Sequence, residues 1–543
     1  MNSFLKENPL LLLFFVSAIG YLVGRIKIKG TGLGISAVLF VGLMFGAMDP
    51  QFEVPEIIFQ LGLVFFVYTI GLTSGPAFFQ SFQKNGWRDI GFVLTMLTLS
   101  AIVAWVLHYF MGFNGPTTVG IYCGSSTNSP SLASAIELIN QGFNNKENHI
   151  QDLVIGYTFS YPMGVLGVML AIKLMEKIFR IDYEAEKAVL RKDYPLDENL
   201  TSRTLRVTNQ NVFGKTLRTL LKDYQWNVVF GRMESYKHGR MMITHWESEL
   251  HENDKITVVG TTEELDHVQE ILGVLDPESL SFNRKEFDIV RIFVSNPDVV
   301  GKTISSLNLT EKYSALITRI RRGDIEMLAK SDTILEIGDR IRFVAKREDL
   351  PAIQKLFGDS YHAASKIDIF SFGLGIGLGL LLGMMELTLP GGLVFKAGYA
   401  GGPLLVGLIL GALKRTGPII WSLPYGTNVT LNQLGLILLL AVLGIRSGNT
   451  MMDSLSQGEW LPIFLGGSVL AISGAIISLW IGFKIFKIPF SLLLGFVSNQ
   501  PAILEFVTDI TKNKVPNIGY SFMFPISLVM KIIYAQILLL LLT

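Results

Sequence analysis

Twelve apolar segments in two groups of six constrain this chain more than any other feature of its sequence. They lie near 9–26, 33–49, 56–79, 90–112, 117–140 and 152–178, and near 368–387, 397–413, 430–450, 459–483, 488–507 and 516–541. Half of the 543 residues are hydrophobic and 53 are glycine, a composition too apolar and too rich in glycine for an ordinary soluble enzyme. We therefore expect an α-helical membrane protein whose partner is the lipid bilayer.

Charge divides the chain into three parts. More than half of the charged residues fall between 181 and 366, in the gap between the two apolar groups. We therefore predict a first membrane repeat over 1–180, a soluble insert over 181–366 and a second membrane repeat over 367–543.

The two apolar groups are repeats of each other. Four pairs of stretches match in the same order: VGLMFGA at 41–47 with VGLILGA at 406–412, GLTSG at 71–75 with GIRSG at 444–448, TNSP at 127–130 with SNQP at 498–501, and IGYTFSYP at 155–162 with IGYSFMFP at 518–525. Such matches indicate an internal duplication.

Basic residues predict how the repeats cross the membrane. Arg25, Lys27 and Lys29 follow the first segment, and Lys84 and Arg88 follow the third, whereas the loops after the second and fourth carry no Lys or Arg. Because basic loops stay in the cytoplasm, we expect both termini outside and the insert inside. This requires 117–140 and 488–507 to be re-entrant hairpins, giving an inverted-repeat transporter with five spans and one hairpin in each half. A polar kink in a full-length span is the alternative at each tip.

The hairpin tips are the main candidates for substrate binding. A proline in the first turn of a helix loses no hydrogen bond, so a helix is expected to begin at each tip, with Ser129 or Gln500 at or near the cap. Helix N-termini favour anions, and a carboxylate suits them. The candidate residues at the tips are Thr127, Asn128, Ser129, Pro130, Ser498, Asn499, Gln500 and Pro501.

Two cations stand in otherwise uncharged segments. Arg446 lies in GIRSG, where the matching GLTSG has Thr73, and arginine can hold a carboxylate through two hydrogen bonds. The alternative is an interfacial arginine that extends to the surface. Lys531 is a second candidate, with a structural pairing to Glu505 or Glu137 as its alternative. Thr73, Ser74 and Ser447 of the two glycine elements complete the candidate substrate-binding set.

The insert is itself duplicated. NVFGKTLRTL at 211–220 resembles DVVGKTISSL at 298–307, and similar strand and helix patterns follow each stretch, which predicts two α+β modules over about 200–275 and 286–360. The GKT triplets do not form a phosphate-binding loop, because Asn209 and Asn296 stand where that loop needs glycine. A dimerising spacer and a sensor of a small regulatory ligand both remain open.

Several function classes lose support from the sequence. A formal net charge of +1 gives no general attraction to nucleic acid, and the single Cys123 excludes a disulfide framework or a CxxC site. The chain has no HExxH, GxSxG or TVGYG motif, so we assign no catalytic residue, metal or cofactor and disfavour an ordinary channel.

The order of these parts resembles a known family. Two homologous apolar halves with GLTSG or GIRSG and IGYTFSYP or IGYSFMFP, flanking two modules that look like the C-terminal (RCK C-terminal) domains of potassium-transport regulators, resemble the aspartate:alanine exchanger family over essentially the whole chain. The resemblance implies a dimeric antiporter of the bacterial inner membrane that takes up aspartate and releases alanine. Other members are similar to exporters of dicarboxylates such as succinate, so the substrate stays open, and a ligand-gated channel is a more distant alternative.

The resemblance and the tip chemistry agree. Helix ends and Arg446 would hold the carboxylates of aspartate, and the side-chain oxygen of Asn128 or Asn499 would hold its ammonium. Hairpin tips carried by a moving domain would give an elevator-like cycle.

Overall fold

A computed structural model describes most of the chain. The described residues are 2–26, 34–84, 86–142, 145–183, 186, 200–280, 286–322, 325–360, 367–388, 394–512 and 515–543. They group into two compact units. The helical unit comprises Met1–Leu196, Phe370–Leu413 and Asn428–Thr543, and the β-rich unit comprises Asp197–Ile369 and Lys414–Thr427.

The helical unit is built from two matching sets of helices. The described helices of the first half are α1 (Asn2–Glu7), α2 (Pro9–Gly24), α3 (Ala37–Met48), α4 (Glu56–Lys84), α5 (Gly86–Met111), α6 (Gly115–Ser125), α7 (Ser129–Gly142) and α8 (Lys146–Phe179). We number the insert helices α9 to α12 and describe them below. The helices of the second half are α13 (Ile369–Met384), α14 (Gly398–Leu413), α15 (Tyr425–Gln457), α16 (Trp460–Lys484), α17 (Phe490–Val497), α18 (Pro501–Thr511) and α19 (Val515–Leu542). A short strand pair, β10 (Glu386–Thr388) with β11 (Val394–Lys396), follows α13.

Five of the ten predicted spans contain a described helix long enough to cross a membrane. By length and composition, five described helical stretches can cross a membrane: Glu56–Pro76, Arg88–Met111, Lys146–Phe179, Tyr425–Asn449 and Trp460–Lys484. Five shorter apolar helical stretches accompany them: Pro9–Gly24, Gly34–Met48, Ile369–Met384, Gly398–Leu413 and Ile526–Leu542. Each half therefore has five long or intermediate apolar helices. Its sixth apolar segment is broken at the tip into two short helices, α6 and α7 in the first half and α17 and α18 in the second.

Within this unit the helices pack as two bundles. The frame bundle contains α2, α3 and α4 with α13, α14 and α15, and its most extensive contact joins α4 to α14. The hairpin bundle contains α5 to α8 with α16 to α19, and its most extensive contacts join α6 and α16 to α8. Each bundle thus takes three consecutive segments from each repeat. The bundles meet mainly where α19 packs on α4 and α7 packs on α14.

Glycines set the close approach of helices in both bundles. In the frame bundle, a Cβ atom on Gly71 would lie 2.6 Å from the carbonyl oxygen of Leu404. In the hairpin bundle, a Cβ on Gly156 would lie 2.4 Å from the carbonyl oxygen of Thr117. The matching Gly519 has the same role, because its Cβ would lie 2.4 Å from the carbonyl oxygen of Leu492.

The insert contains the two predicted modules. The first has β1 (Thr201–Val207), α9 (Leu217–Tyr224), β2 (Val229–Glu234), β3 (Met241–Ile243), β4 (Lys255–Gly260), α10 (Thr262–Leu272) and β5 (Gly273–Leu275), with strand order β3-β2-β4-β1-β5. The second has β6 (Phe287–Phe293), α11 (Leu309–Tyr313), β7 (Leu316–Arg322), β8 (Ile325–Leu328), β9 (Arg340–Lys346) and α12 (Leu350–Phe357), with order β6-β9-β7-β8. All described pairings in both sheets are antiparallel. Apart from β5, the two sheets have the same topology.

The modules also match in individual contacts. Asn209 and Asn296 each accept a bond from the backbone N–H two residues later, and each donates to a carbonyl at the end of its module's last helix. Gly214 and Gly301, in the GKT triplets, both have positive φ. These asparagines therefore shape a turn.

The modules contact each other reciprocally. Arg232 of β2 donates to the carbonyl oxygen of Phe287 at 3.5 Å, and Arg319 of β7 donates to that of Leu200 at 2.6 Å. Arg232 and Arg319 occupy equivalent positions in the duplication, as do Leu200 and Phe287. A small apolar core that includes Ile243 and Val344 lies between the modules. The insert is thus a pseudo-dimer within one chain.

A strand pair after α14 belongs to the β-rich unit, whereas the sequence suggested a membrane repeat throughout 367–543. It consists of β12 (Arg415–Thr416) and β13 (Ile419–Ile420). Lys414 forms a 2.6 Å ion pair with Glu336, and Arg415 donates to the carbonyl oxygen of Pro297 at 2.8 Å. Through these contacts, the segment 414–427 packs on the second module.

Candidate functional site

The first tip, residues 127–130, is a tight helix-to-helix turn. Thr127 has a φ of +49°, and its N–H bonds to the carbonyl oxygen of Gly124 at 2.9 Å. The N–H of Asn128 bonds to the carbonyl oxygen of Cys123 at 2.9 Å. This pair of bonds is the arrangement that ends many helices, with threonine where glycine is usual. The break in the apolar segment is therefore built from local hydrogen bonds.

Asn128 caps the helix that leaves the first tip. Its side-chain Oδ1 accepts the N–H of Ser131 at 3.0 Å, and its carbonyl oxygen accepts that of Leu132. The sequence placed the cap at or near Ser129, but the hydroxyl of Ser129 instead bonds Tyr157 Oη at 2.8 Å. Pro130 lies in the first turn and is buried.

The second tip, residues 498–501, is held by different contacts. Gln500 is the N-cap of α18 as predicted, but its side chain forms no capping bond. Its Oε1 accepts the hydroxyl of Tyr161 at 3.0 Å, and Tyr161 also bonds the hydroxyl of Ser36. Ser498 donates to the carbonyl oxygen of Leu494 at 2.7 Å. Pro501 begins α18, and its side chain lies outside the described part of the structure.

Lys531 on α19 lies between the second tip and the end of the helix that leads into the first tip. Its Nζ donates to Oδ1 of Asn499 at 2.7 Å and lies 3.5 Å from the carbonyl oxygen of Ser126, the residue before the first tip. The side chain is only 3% exposed. The sequence offered Glu505 or Glu137 as structural partners, but both described partners are neutral oxygens. Glu137 instead accepts the N–H groups of Tyr399 and Ala400 at the start of α14.

A small cavity of about 50 Å³ lies beside Lys531. Polar groups on its wall come from both hairpins: Tyr122, Ser125 and Ser126 before the first tip and Asn499 in the second. Apolar residues of α5 and α16, including Leu97 and Leu470, form other parts of the wall. The cavity therefore combines a buried cation with neutral polar groups, a setting that favours a small anionic group.

The glycine-element candidates lie at helix contacts in the frame bundle. The hydroxyl of Thr73 donates to the carbonyl oxygen of Thr69 at 3.0 Å and bonds the side-chain amide of Asn428. Ser74 is partly buried, and Ser447 is 3% exposed. The described contacts do not bring these three residues to either tip.

Arg446 also lies in the frame bundle. Its guanidinium is 3.4 Å from Glu56 and donates to the carbonyl oxygen of Val54 at 3.1 Å. Its side chain is 38% exposed, which fits the interfacial alternative raised by the sequence. A role in substrate binding stays a prediction for Arg446, as it does for the tip residues.

Sequence reasoning missed three tyrosines around the tips. Tyr157 and Tyr161 hold Ser129 and Gln500, respectively, and Tyr122 lines the cavity. The available signal for Tyr157 was the repeated IGY element, in which it matches Tyr520, whereas no sequence signal marked Tyr122. Among the described residues, no group of three or more His, Cys, Asp or Glu could hold a metal ion.

The membrane region matches a known family over most of its length. Residues 12–177 and 371–540 match the family described as a predicted permease membrane region. The chain belongs to this permease family. Residues 289–358, the second insert module, match the TrkA-C domain.

Full-length relatives of this permease are named as transporters. It is 44% identical to the uncharacterized transporter GSU1016 of Geobacter sulfurreducens, with 99% of each chain covered. It is 40% identical to the uncharacterized transporter STH2172 of Symbiobacterium thermophilum, with 100% of each covered. The crystal structure of the GsuK RCK domain aligns with 31% of this chain and 65% of that chain at 11% identity and a TM-score of 0.16, too low to support an argument.

Proposed function

We propose that this permease is a secondary carrier that exchanges aspartate for alanine across the bacterial inner membrane. The observation that supports it best is Lys531, a buried cation that contacts Asn499 in the second tip and Ser126 beside the first, and that lines the cavity there. No carboxylate among the described residues pairs with Lys531, so an anionic substrate group is the natural partner for its charge.

Exchange of these two substrates suits a site with one cation. Aspartate and alanine share one carboxylate and one ammonium on the same carbon, so a single binding site can accept either substrate. The neutral oxygens near the tips would receive the ammonium. The second carboxylate of aspartate needs further donors, which the tip residues and Arg446 are proposed to supply.

A dicarboxylate carrier is the second candidate, because the same cavity suits one end of succinate. The two candidates differ in whether a substrate must carry an ammonium group. They also differ in whether alanine on the opposite side drives uptake.

The test is uptake of labelled aspartate into proteoliposomes preloaded with alanine, aspartate, succinate or buffer. We expect internal alanine and aspartate to stimulate uptake in the wild type and Lys531→Met to abolish the stimulation. Stimulation by succinate alone would assign the protein to the dicarboxylate alternative. Absence of counterflow with every load would refute a carrier of these substrates.

The same assay tests Arg446 against a matched control. If Arg446 binds substrate, Arg446→Ala should raise the KM for aspartate while Glu56→Gln leaves it unchanged. If Arg446 acts only through its ion pair with Glu56, the two variants should behave alike.

Placement and assembly are part of the proposal. The termini lie outside, the insert lies in the cytoplasm, and the protein is a homodimer. The insert binds a small regulatory ligand, a role consistent with its TrkA-C match.

A further inference from the structure

We propose that Tyr122 and Lys531 together form a seat for a single carboxylate, which each exchanged substrate occupies in turn. The inference rests on the proposed exchange and adds to it the group that is recognised and a residue that recognises it. Nothing in the sequence pattern singled out Tyr122.

Tyr122 lines the cavity and carries an unused hydroxyl. The residue is 1% exposed, and its Oη has no hydrogen-bond partner among the described residues. A buried hydroxyl without a partner is unfavourable and uncommon, and it is stabilised when a ligand supplies an acceptor. Tyr122 and Lys531 line the same cavity, and in the proposed seat one ligand contacts both.

Lys531 has donor capacity left for such a ligand. An ammonium has three N–H groups, and the described bonds use one at 2.7 Å and one at the long distance of 3.5 Å. A carboxylate has two oxygens, so one can accept from Lys531 while the other accepts from Tyr122. Both hydrogen bonds would then involve a charged acceptor, which makes them stronger than bonds between neutral groups.

In size, the cavity suits the carboxylate group of a substrate better than a whole substrate molecule. A volume of about 50 Å³ has room for a few water-sized groups. One ammonium balances one carboxylate, and apolar side chains such as Leu97 and Leu470 form other parts of the wall. The seat therefore recognises the group that aspartate and alanine have in common, and the remainder of each substrate extends towards the tips.

The experiment is Tyr122→Phe, which removes only the hydroxyl. In exchange assays with proteoliposomes, we expect the KM to rise about tenfold or more, and by a similar factor for aspartate and for alanine. The matched control is Tyr68→Phe on α4, a fully buried tyrosine that does not line the cavity, which should leave both KM values unchanged. Thermal unfolding of both variants checks that they are folded.

A second measurement separates the seat from the transport reaction. Aspartate and alanine should raise the unfolding temperature of the purified full-length protein, whereas alaninamide, which lacks the carboxylate, should not. Tyr122→Phe should reduce the two positive shifts. Once Lys531→Met is present, adding Tyr122→Phe should have little further effect, because both residues hold the same group.

The outcomes distinguish the two proposals. A wild type that shows no counterflow refutes the exchange, and shifts that depend on Tyr122 would still support the seat. Normal exchange with unchanged KM values in Tyr122→Phe overturns the seat alone. An increase for only one of the two substrates also overturns it, since a shared carboxylate must affect both.

Discussion

At the residue scale, Asn128 at the first tip shows that a residue predicted to bind substrate can instead stabilise the backbone. The sequence offered Asn128 or Asn499 as the residue that holds the substrate's ammonium, yet Oδ1 of Asn128 accepts the N–H of Ser131. A residue that caps a helix stabilises the hairpin whether or not substrate is present.

Substitutions at Asn128 can separate the two roles. Asn128→Ala should lower the free energy of unfolding by about 1 kcal/mol, because the helix loses its cap. Asn128→Ser keeps a capping oxygen and should retain both stability and transport. Thermal unfolding and uptake would be measured on both variants. If the serine variant is stable but no longer transports, Asn128 contacts the substrate as well.

Thr127 carries backbone strain at the same tip. Its φ of +49° is unfavourable for a β-branched side chain, and its buried Oγ1 has no hydrogen-bond partner among the described residues. Thr127→Gly should therefore raise the free energy of unfolding by about 1 kcal/mol, whereas Thr127→Ala, which keeps a Cβ, should gain less. Calorimetry or a thermal scan checks the order of the two variants. Equal or lower stability of the glycine variant would contradict the strain.

The sequence could identify the tip residues and Lys531, because polar groups stand out in apolar segments. It could not identify Tyr122, since a tyrosine in an apolar helix has the same pattern whether its hydroxyl is paired or not. It also could not identify the partner of Arg446, because Glu56 is distant in the chain.

At the element scale, α13 offers a test of helix packing within one short segment. A Cβ on Gly379 would lie 2.6 Å from the Cα of Pro403, whereas a Cβ on Gly377 would meet nothing within 4 Å. Both glycines belong to the row GLGIGLGLLLG.

Alanine at these two positions should have opposite effects. Gly379→Ala should lower the unfolding temperature, because the added methyl group would clash with the backbone of α14, which cannot shift without a large cost in free energy. Gly377→Ala should leave stability unchanged or raise it slightly, since alanine is the better helix former. Thermal unfolding in detergent measures both, and similar losses in the two variants would show that packing is not the cause.

Hydropathy predicted the helices and their breaks well, because a polar cluster with proline interrupts an apolar segment locally. It did not predict that 414–427 would pack on the insert module. The contacts responsible, Lys414 with Glu336 and Arg415 with Pro297, join residues far apart in sequence.

At the scale of the whole molecule, the helices divide into a frame bundle and a hairpin bundle, and the elevator hypothesis predicts that one bundle moves against the other. Ser36, before α3, bonds Tyr161 on α8 and so connects the two bundles. Thr98 on α5 bonds Tyr534 on α19 and lies entirely within the hairpin bundle. These are chemically similar pairs in different structural positions.

Cross-linking these pairs would test relative motion of the bundles. With Cys123→Ala as background, cysteines at 36 and 161 joined by a reducible bifunctional reagent should stop exchange, and reduction should restore it. Cysteines at 98 and 534 joined in the same way should leave exchange intact. Uptake before and after reduction is the measurement. Undiminished transport by the first linked pair would exclude sliding of one bundle against the other.

The sequence revealed that the two halves are repeats. It did not reveal which helices belong to the frame bundle and which to the hairpin bundle. Repeats show which segments correspond, whereas the choice of bundle depends on contacts between segments from opposite halves, such as α4 with α14. Those contacts are formed by small-residue surfaces that look alike in every apolar segment.

The reciprocal arginine contacts of the insert determine how pairing of the two modules depends on protein concentration. Two separate copies of a module would associate by mass action and come apart on dilution. Here Arg232 and Arg319 belong to one chain, so each module meets the other at a fixed and high local concentration. Their pairing is therefore independent of how much protein the cell makes, and each half is free to diverge in sequence without having to recognise a copy of itself.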